Sequence, residues 1–240
     1  MARAAEPSGR RAGTAWRQAA PELSALKRSL LFSEELNIAL ASGREGEYFR
    51  WLLASLLYGA RINGTIARNT YRSFLRHGLT TPGKIIDAGW PYLVNPIMRE
   101  GGYVRYDGRK SDQILRVCGA LIETYGGRVS NVHEKASDAR DLETRMLAFY
   151  GVGAVTTNIF LRELRPFWRK ADPKPLPQVT RLASRLKIDL TSFRRKTITF
   201  VRIEAGLIRL AQGRFRSAIA AEDGRARPAR IHESHSPAEP

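Results

Sequence analysis

The sequence predicts an all-α protein. Apolar residues recur at helical spacing through most of the chain, no stretch sustains the period-two alternation of a half-buried strand, and Gly and Pro interrupt the apolar segments at lengths suited to helices. The 240 residues, 43% of them hydrophobic, suffice for one or two domains with a real core.

Residues 1–27 are rich in Ala and Arg without periodicity and read as a flexible basic arm; residues 217–240 read as a flexible tail. Tyr48 to Leu57 is apolar on nearly every face but too short for a membrane, which predicts a central buried helix. Ile62, Ile66, Thr70 and Phe74 recur every four residues and mark an amphipathic helix broken at Gly78, Pro82 and Gly83. A shorter segment from Ile85 to Val94 is limited by Pro91 and Pro96, and Gly101 to Gly108 reads as a turn-rich connection. Ile114, Cys118, Leu121, Ile122 and Tyr125 share one face of a long helix ending at Gly126-Gly127. Leu142, Met146, Phe149 and Tyr150 lead to Gly151-Val152-Gly153, then a helix from Ala154 to Leu164 ended by Pro166. After a proline-rich loop carrying Asp172, two helices follow, one with Val179, Leu182 and Leu186, the other with Ile198, Val201, Ala205 and Ile208.

Lys and Arg outnumber Asp and Glu by 40 to 23, a net charge of +17. Such a balance suits a nucleic-acid partner, because displacing condensed counterions from phosphates drives binding; an acidic membrane surface or a ribosome is the alternative. Cys118 is the single cysteine and reads as a small core residue, so an internal disulfide, a four-cysteine zinc site and a four-cysteine iron–sulfur cluster are excluded. His77, His133, His232 and His235 show no metal-ligand spacing, and the expectation is no metal and no cofactor. No apolar run approaches a membrane span and the N-terminal residues lack a secretory signal's apolar stretch, which points to an intracellular, cytoplasmic protein without a membrane partner.

The most informative segment runs from Leu147 to Phe160, where two apolar helices meet at a Gly-x-Gly turn. Glycine permits backbone angles that other residues resist and leaves no side chain in front of the main chain. The next helix opens with unsatisfied N–H groups, a ready site for one phosphate without base specificity. Gly151, Val152, Gly153 and Thr156 are the phosphate-binding candidates. The alternative is a plain helix cap followed by another helix.

Gly151-Val152-Gly153-Ala154-Val155-Thr156-Thr157-Asn158 resembles the hairpin of the endonuclease III superfamily of helix-hairpin-helix DNA glycosylases. Tyr106 to Leu115 is similar to that family's turn into the helix preceding the hairpin, and Leu52 to Leu57 resembles its first core helix. The resemblance spans roughly residues 30 to 210. It implies a two-lobed helical bundle with a DNA cleft between the lobes: residues 28–45 and 167–216 form one lobe, and residues 46–166, ending in the hairpin, form the other.

The resemblance further implies a monomer that binds double-stranded DNA, extrudes a damaged or mispaired base and cuts its N-glycosidic bond. Asp172 stands where the family keeps a carboxylate that stabilises the cationic transition state, although the segment following it is longer and richer in Lys and Pro than usual. Bifunctional relatives carry a nucleophilic lysine two residues beyond the Gly-x-Gly; here that residue is Val155, so hydrolysis without strand cleavage is expected. Lys110, Lys135, Lys170 and Lys174 are possible substitutes for that nucleophile, most of them read as solvated or phosphate-facing. Arg61 or Asn63 follows the first core helix where the family inserts its wedge into the duplex. Arg194, Arg195 and Lys196, with Arg202, Arg209, Arg214 and Arg216, form a basic region that reads as a second DNA contact. The cluster loop of many relatives is absent, since no cysteine follows Leu210. A catalytically inactive DNA-binding protein with the same hairpin is the alternative, and an accidental likeness in a basic helical protein is a third reading.

Overall fold

The computed structural model describes residues 23–60 and 62–213. Arg61, the arm as far as residue 22, and the chain from residue 214 onward, with Arg214, Arg216 and the 217–240 tail, lie outside the described residues. Among the described residues the regular structure is entirely helical, with no strand.

The first elements are short: α1 (Leu23–Lys27) and α2 (Phe32–Glu35). They are followed by α3 (Glu45–Tyr58), α4 (Gly64–Arg76) and α5 (Pro82–Tyr92). A single turn, α6 (Arg99–Gly101), precedes the long α7 (Asp107–Tyr125), and α8 (Ser130–Lys135) follows. The last described elements are α9 (Ala139–Leu147), α10 (Ala154–Leu164), α11 (Pro177–Arg185) and α12 (Ile198–Ala211).

Local chemistry explains most boundaries. Asn63 accepts the Thr65 N–H at 2.8 Å and so starts α4, and Thr81 caps α5 with Pro82 in the first turn. Gly89, at φ 72° and ψ 171°, kinks α5 before Pro91, and Asn95, at φ −142° and ψ 114°, breaks the Leu93–Met98 segment before Pro96. Gly126 ends α7 in the left-handed region, at φ 63°.

The predicted central helix is α3, buried on most of its surface from Glu47 to Leu57. Trp51 is the anchor: its ring is enclosed and its Nε1–H donates to the Phe160 carbonyl of α10 at 3.0 Å. Leaving a cavity of that size costs about 3–5 kcal/mol. Around α3 lies the larger apolar core, with contributions from Leu36 to Ala171. It includes Cys118, whose thiol burial pushes up to about 12. A smaller core joins Leu26 of α1 to Val179 and Ala183 of α11 and to Ile203, Leu207 and Ile208 of α12.

Several expectations change at this level. The arm was expected to reach residue 27, but Leu23–Lys27 is helical and Leu26 is fully buried. Leu36, Ile38, Leu40, Trp168 and Ala171 pack into the larger core together with α3. Ile122 and Ile198 are exposed rather than core-facing, since the stripe on each helix is narrower than its apolar residues suggested.

Candidate nucleic-acid interface

The bend between α9 and α10 lies at the surface. Gly151 is at φ 69°, in the left-handed region, and an added Cβ there would sit 2.9 Å from Gln113 Nε2, so both backbone and space ask for glycine. Gly153 is different. Its φ of −104° is ordinary and nothing would meet an added Cβ, so its virtue is only that it leaves the helix start bare. The first helical bond is Thr157 N–H to the Gly153 carbonyl at 3.0 Å, and no side chain caps the turn before it. Ala154 and Val155 are exposed, whereas Val152 packs into the core beneath them.

Thr156, expected to touch phosphate, turns its side chain inward. A Cβ on Gly59 would fall 1.9 Å from Thr156 Oγ1, so Gly59 lets the end of α3 lie directly on the first turn of α10. Only the Thr156 main chain remains for a ligand. Asn63 is exposed but spends its side-chain oxygen as the α4 cap, which the sequence signals by placing Asn immediately before an amphipathic helix.

A cavity of about 410 Å³ adjoins the bend, lined by Ala60, Tyr103, Tyr106, Lys110, Tyr150 and Gly151, with Arg109 and Gln113 completing the wall. Its size falls in the range of small-ligand sites. Tyr103 is enclosed, and burial pushes its hydroxyl up to about 12. Tyr106 and Tyr150 are exposed at the rim, each with an arginine over its ring: Arg105 at 5.1 Å and Arg116 at 4.3 Å. Lys110 Nζ donates to the Leu56 carbonyl at 2.9 Å and to Gln113 Oε1 at 2.5 Å. Burial, reinforced by the Arg109 charge, brings its pKa down to about 8.

Lys110 is therefore half-buried and is not one of the solvated or phosphate-facing lysines. The signal was present in the sequence: Lys110 and Gln113 precede Ile114, Val117 and Leu121 on the core-facing stripe of α7. Lys135 and Lys170 do other work, donating to main-chain carbonyls, Lys135 to Thr124 at 2.6 Å and Lys170 to His133 at 2.9 Å. Lys174 is exposed.

Asp172 occupies a separate recess of about 490 Å³, together with Arg194, Arg195, Lys196 and Thr197. Its side chain is 19% exposed; Oδ2 accepts from Arg195 Nη2 at 2.6 Å, and Oδ1 lies 3.7 Å from the buried Arg165 Nε. Arg165 also reaches Glu204 and the Pro173 carbonyl, which fixes the loop. Asn158 Nδ2 donates to the Lys174 carbonyl at 2.8 Å, tying that loop to the second turn of α10 rather than to its start. Asp172 is thus brought together with the basic residues after α11. It shares no lining residue with the cavity at the bend.

The basic region is also thinner than expected. Arg202 pairs with Glu34 at 2.6 Å, and Arg209, only 3% exposed, pairs with Glu35 at 2.8 Å. Both hold the 29–36 segment onto α12 and are not turned to a ligand. Arg194 and Lys196 remain exposed, although Lys196 Nζ donates to the Arg169 carbonyl at 2.6 Å. Among the described residues, no group of three or more His, Cys, Asp or Glu could hold a metal ion, and no helix is long and apolar enough to cross a membrane.

Comparison with known protein families, curated proteins and solved structures finds no match to this chain.

Proposed function

We propose that the protein binds double-stranded DNA through the Gly151–Gly153 bend, takes one extruded nucleotide into the adjoining cavity and removes its base by hydrolysis, as a DNA glycosylase of base excision repair. The observation that carries this reading is the junction of the uncapped α10 start with a cavity that Tyr150 and Gly151 themselves line. Amides at a helix start hold a phosphate, and a tyrosine-lined cavity beside them suits a base taken out of its stack. In the reaction the C1′–N bond breaks, its electron pair leaves with the base, and water adds to C1′ with loss of a proton. A carboxylate near C1′ favours the positive charge that develops there.

Asp172 is the carboxylate that the family resemblance marks. Its engagement by Arg195 and Arg165, in a recess apart from the cavity, favours a second reading: a helix-hairpin-helix protein that binds DNA without chemistry.

Incubation with duplexes carrying a panel of damaged or mispaired bases separates the two. Base release by the native protein is the expected outcome of the first reading, and its loss in Asp172→Asn would bear out the role that the resemblance gives that carboxylate. Release that persists in Asp172→Asn removes only the role given to that residue. Binding by gel shift with no release from any duplex leaves the second reading.

A further inference from the structure

The recess between the end of α4 and α5 has no part in the reading above. It measures about 410 Å³ and shares no lining residue with the cavity at the bend or with the Asp172 recess. His77 follows the last turn of α4, and Tyr92 closes α5 just after Gly89 and Pro91 kink it. Both line the recess, and their side chains meet there: His77 Nδ1 lies 2.7 Å from the Tyr92 hydroxyl. On its other side the imidazole faces Glu100, Nε2 to Oε1, at 3.0 Å.

Charge fixes the direction of these bonds. Glu100 Oε2 accepts from Ser73 and Arg76, and the Arg76 guanidinium, helped by Ser73, holds the carboxyl down to about 2. A carboxylate only accepts, so the neutral imidazole carries its proton on Nε2 and offers the Nδ1 lone pair to the phenol. Glu100, His77 and Tyr92 thus stand in the order orienter, base, nucleophile, the arrangement that activates a hydroxyl. Tyr92 is 40% exposed, so an electrophile can reach its oxygen. Leu79 and Ala88 give the recess an apolar part, and Lys84 brings a cation that Asp87 balances. A lining without net charge suits a neutral carbonyl better than a phosphodiester, and one ammonium suffices for the single charge that develops on a carbonyl oxygen.

We propose that Tyr92 is the nucleophile of an acyl-transfer site, separate from the bend, that takes an acyl group from a thioester or aryl ester and passes it to water. The donor class follows from the nucleophile. A phenol is a better leaving group than an alcohol, so acyl-tyrosine forms readily only from a donor that is activated to a similar degree. Tyr92 Oη bonds to the carbonyl carbon as its proton passes to His77 Nδ1 and the π electrons move to the carbonyl oxygen, on the side of Lys84. The carbonyl re-forms, the bond to the thiol or phenol of the donor breaks, and that leaving group takes the proton from His77. Water then attacks the acyl-tyrosine, His77 receives its proton, and the Tyr92 oxygen departs and takes that proton back.

The test uses the full-length protein with two probes, p-nitrophenyl acetate and the acetyl thioester of N-acetylcysteamine. Samples are quenched in acid and acetyl groups are mapped by peptide mass spectrometry. Acetylation of Tyr92 ahead of every other tyrosine is expected. In His77→Gln it is expected to be roughly a hundredfold slower, the lower end of what a positioned base contributes. Donor hydrolysis is expected to be lost in Tyr92→Phe. Reaction with only one of the two probes bears out the site and names its donor. Acetyl groups confined to lysines, or spread evenly over the tyrosines, overturn the proposal. So does Tyr92 acetylation that is as fast in His77→Gln, because Tyr92 is then only an exposed phenol, and so does hydrolysis that persists in Tyr92→Phe. Mapping on the native protein decides the matter even if the variants fail to fold.

Discussion

Glu100 shows how much of the behaviour of this protein is set by single side chains. It accepts hydrogen bonds from Ser73 and Arg76, 2.8 Å each, and lies 3.0 Å from His77 Nε2. Arg76 first, then Ser73 and His77, lower its pKa from 4.5 to about 2. A carboxyl group whose folded pKa is depressed binds fewer protons in the native state than in the unfolded chain, so its contribution is present above the unfolded value and lost as pH falls through the folded one. Glu100→Gln is expected to be less stable than the native protein at pH 7, with the difference shrinking below pH 4.5 and closing near pH 2. Urea unfolding across that range checks it; a difference that does not change with pH would show the ionised group to be irrelevant. The sequence offered no sign of this cluster, because Glu100 is distant in sequence from Ser73 and Arg76. Asp172 differs. Its identity as a candidate was legible by resemblance, but its pairing with Arg195 depends on how the loop after α10 returns to the segment before α12.

At the scale of elements, α10 is the decisive case. Its central part is buried among α3 and α9, while Gly153, Ala154 and Val155 stay exposed at its start. Gly153→Asp separates stability from binding there. Aspartate is a favoured N-cap and its charge complements the helix dipole, so the variant is expected to be more stable by about 0.5–1 kcal/mol. The same carboxylate occupies the amides and repels phosphate, so duplex affinity is expected to fall at least tenfold. Thermal unfolding and gel shift measure the two effects. Unchanged affinity in a stabilised variant would remove the bend from the interface. The helix and its Gly-x-Gly start were readable from apolar spacing and glycine chemistry. That Thr156 turns inward was not, because the cause is the close approach of Gly59 from the end of another helix.

At the scale of the whole molecule, part of the basic charge of the described residues is spent on internal ion pairs. Arg202 and Arg209 are used internally, joining the 29–36 segment to α12 and supporting the smaller core. Arg209→Ala is therefore expected to destabilise the protein by on the order of 2 kcal/mol, as removal of a buried charged hydrogen-bonding group does, with no change in the duplex affinity of the folded fraction. Arg194→Ala is expected to do the reverse: unchanged unfolding, weaker duplex binding at every sequence and a shallower dependence on salt. Denaturant melts and gel shifts at several salt concentrations compare them. Equal losses of affinity in both variants would mean that the C-terminal basic residues act as one surface.

The sequence by itself determined that the described residues are helical, where α3, α7 and α10 run, that Cys118 is buried, and that glycine shapes the bend before α10. These follow from spacing and backbone freedom, which are local properties and therefore visible in order along the chain. Only the tertiary structure decided that Lys110 donates to the Leu56 carbonyl beside the bend, that Asp172 is held by arginines in another recess, and that two of the C-terminal arginines serve the core. Desolvation and ion pairing depend on what comes near in space, and here those neighbours are side chains or carbonyls contributed by other helices and loops.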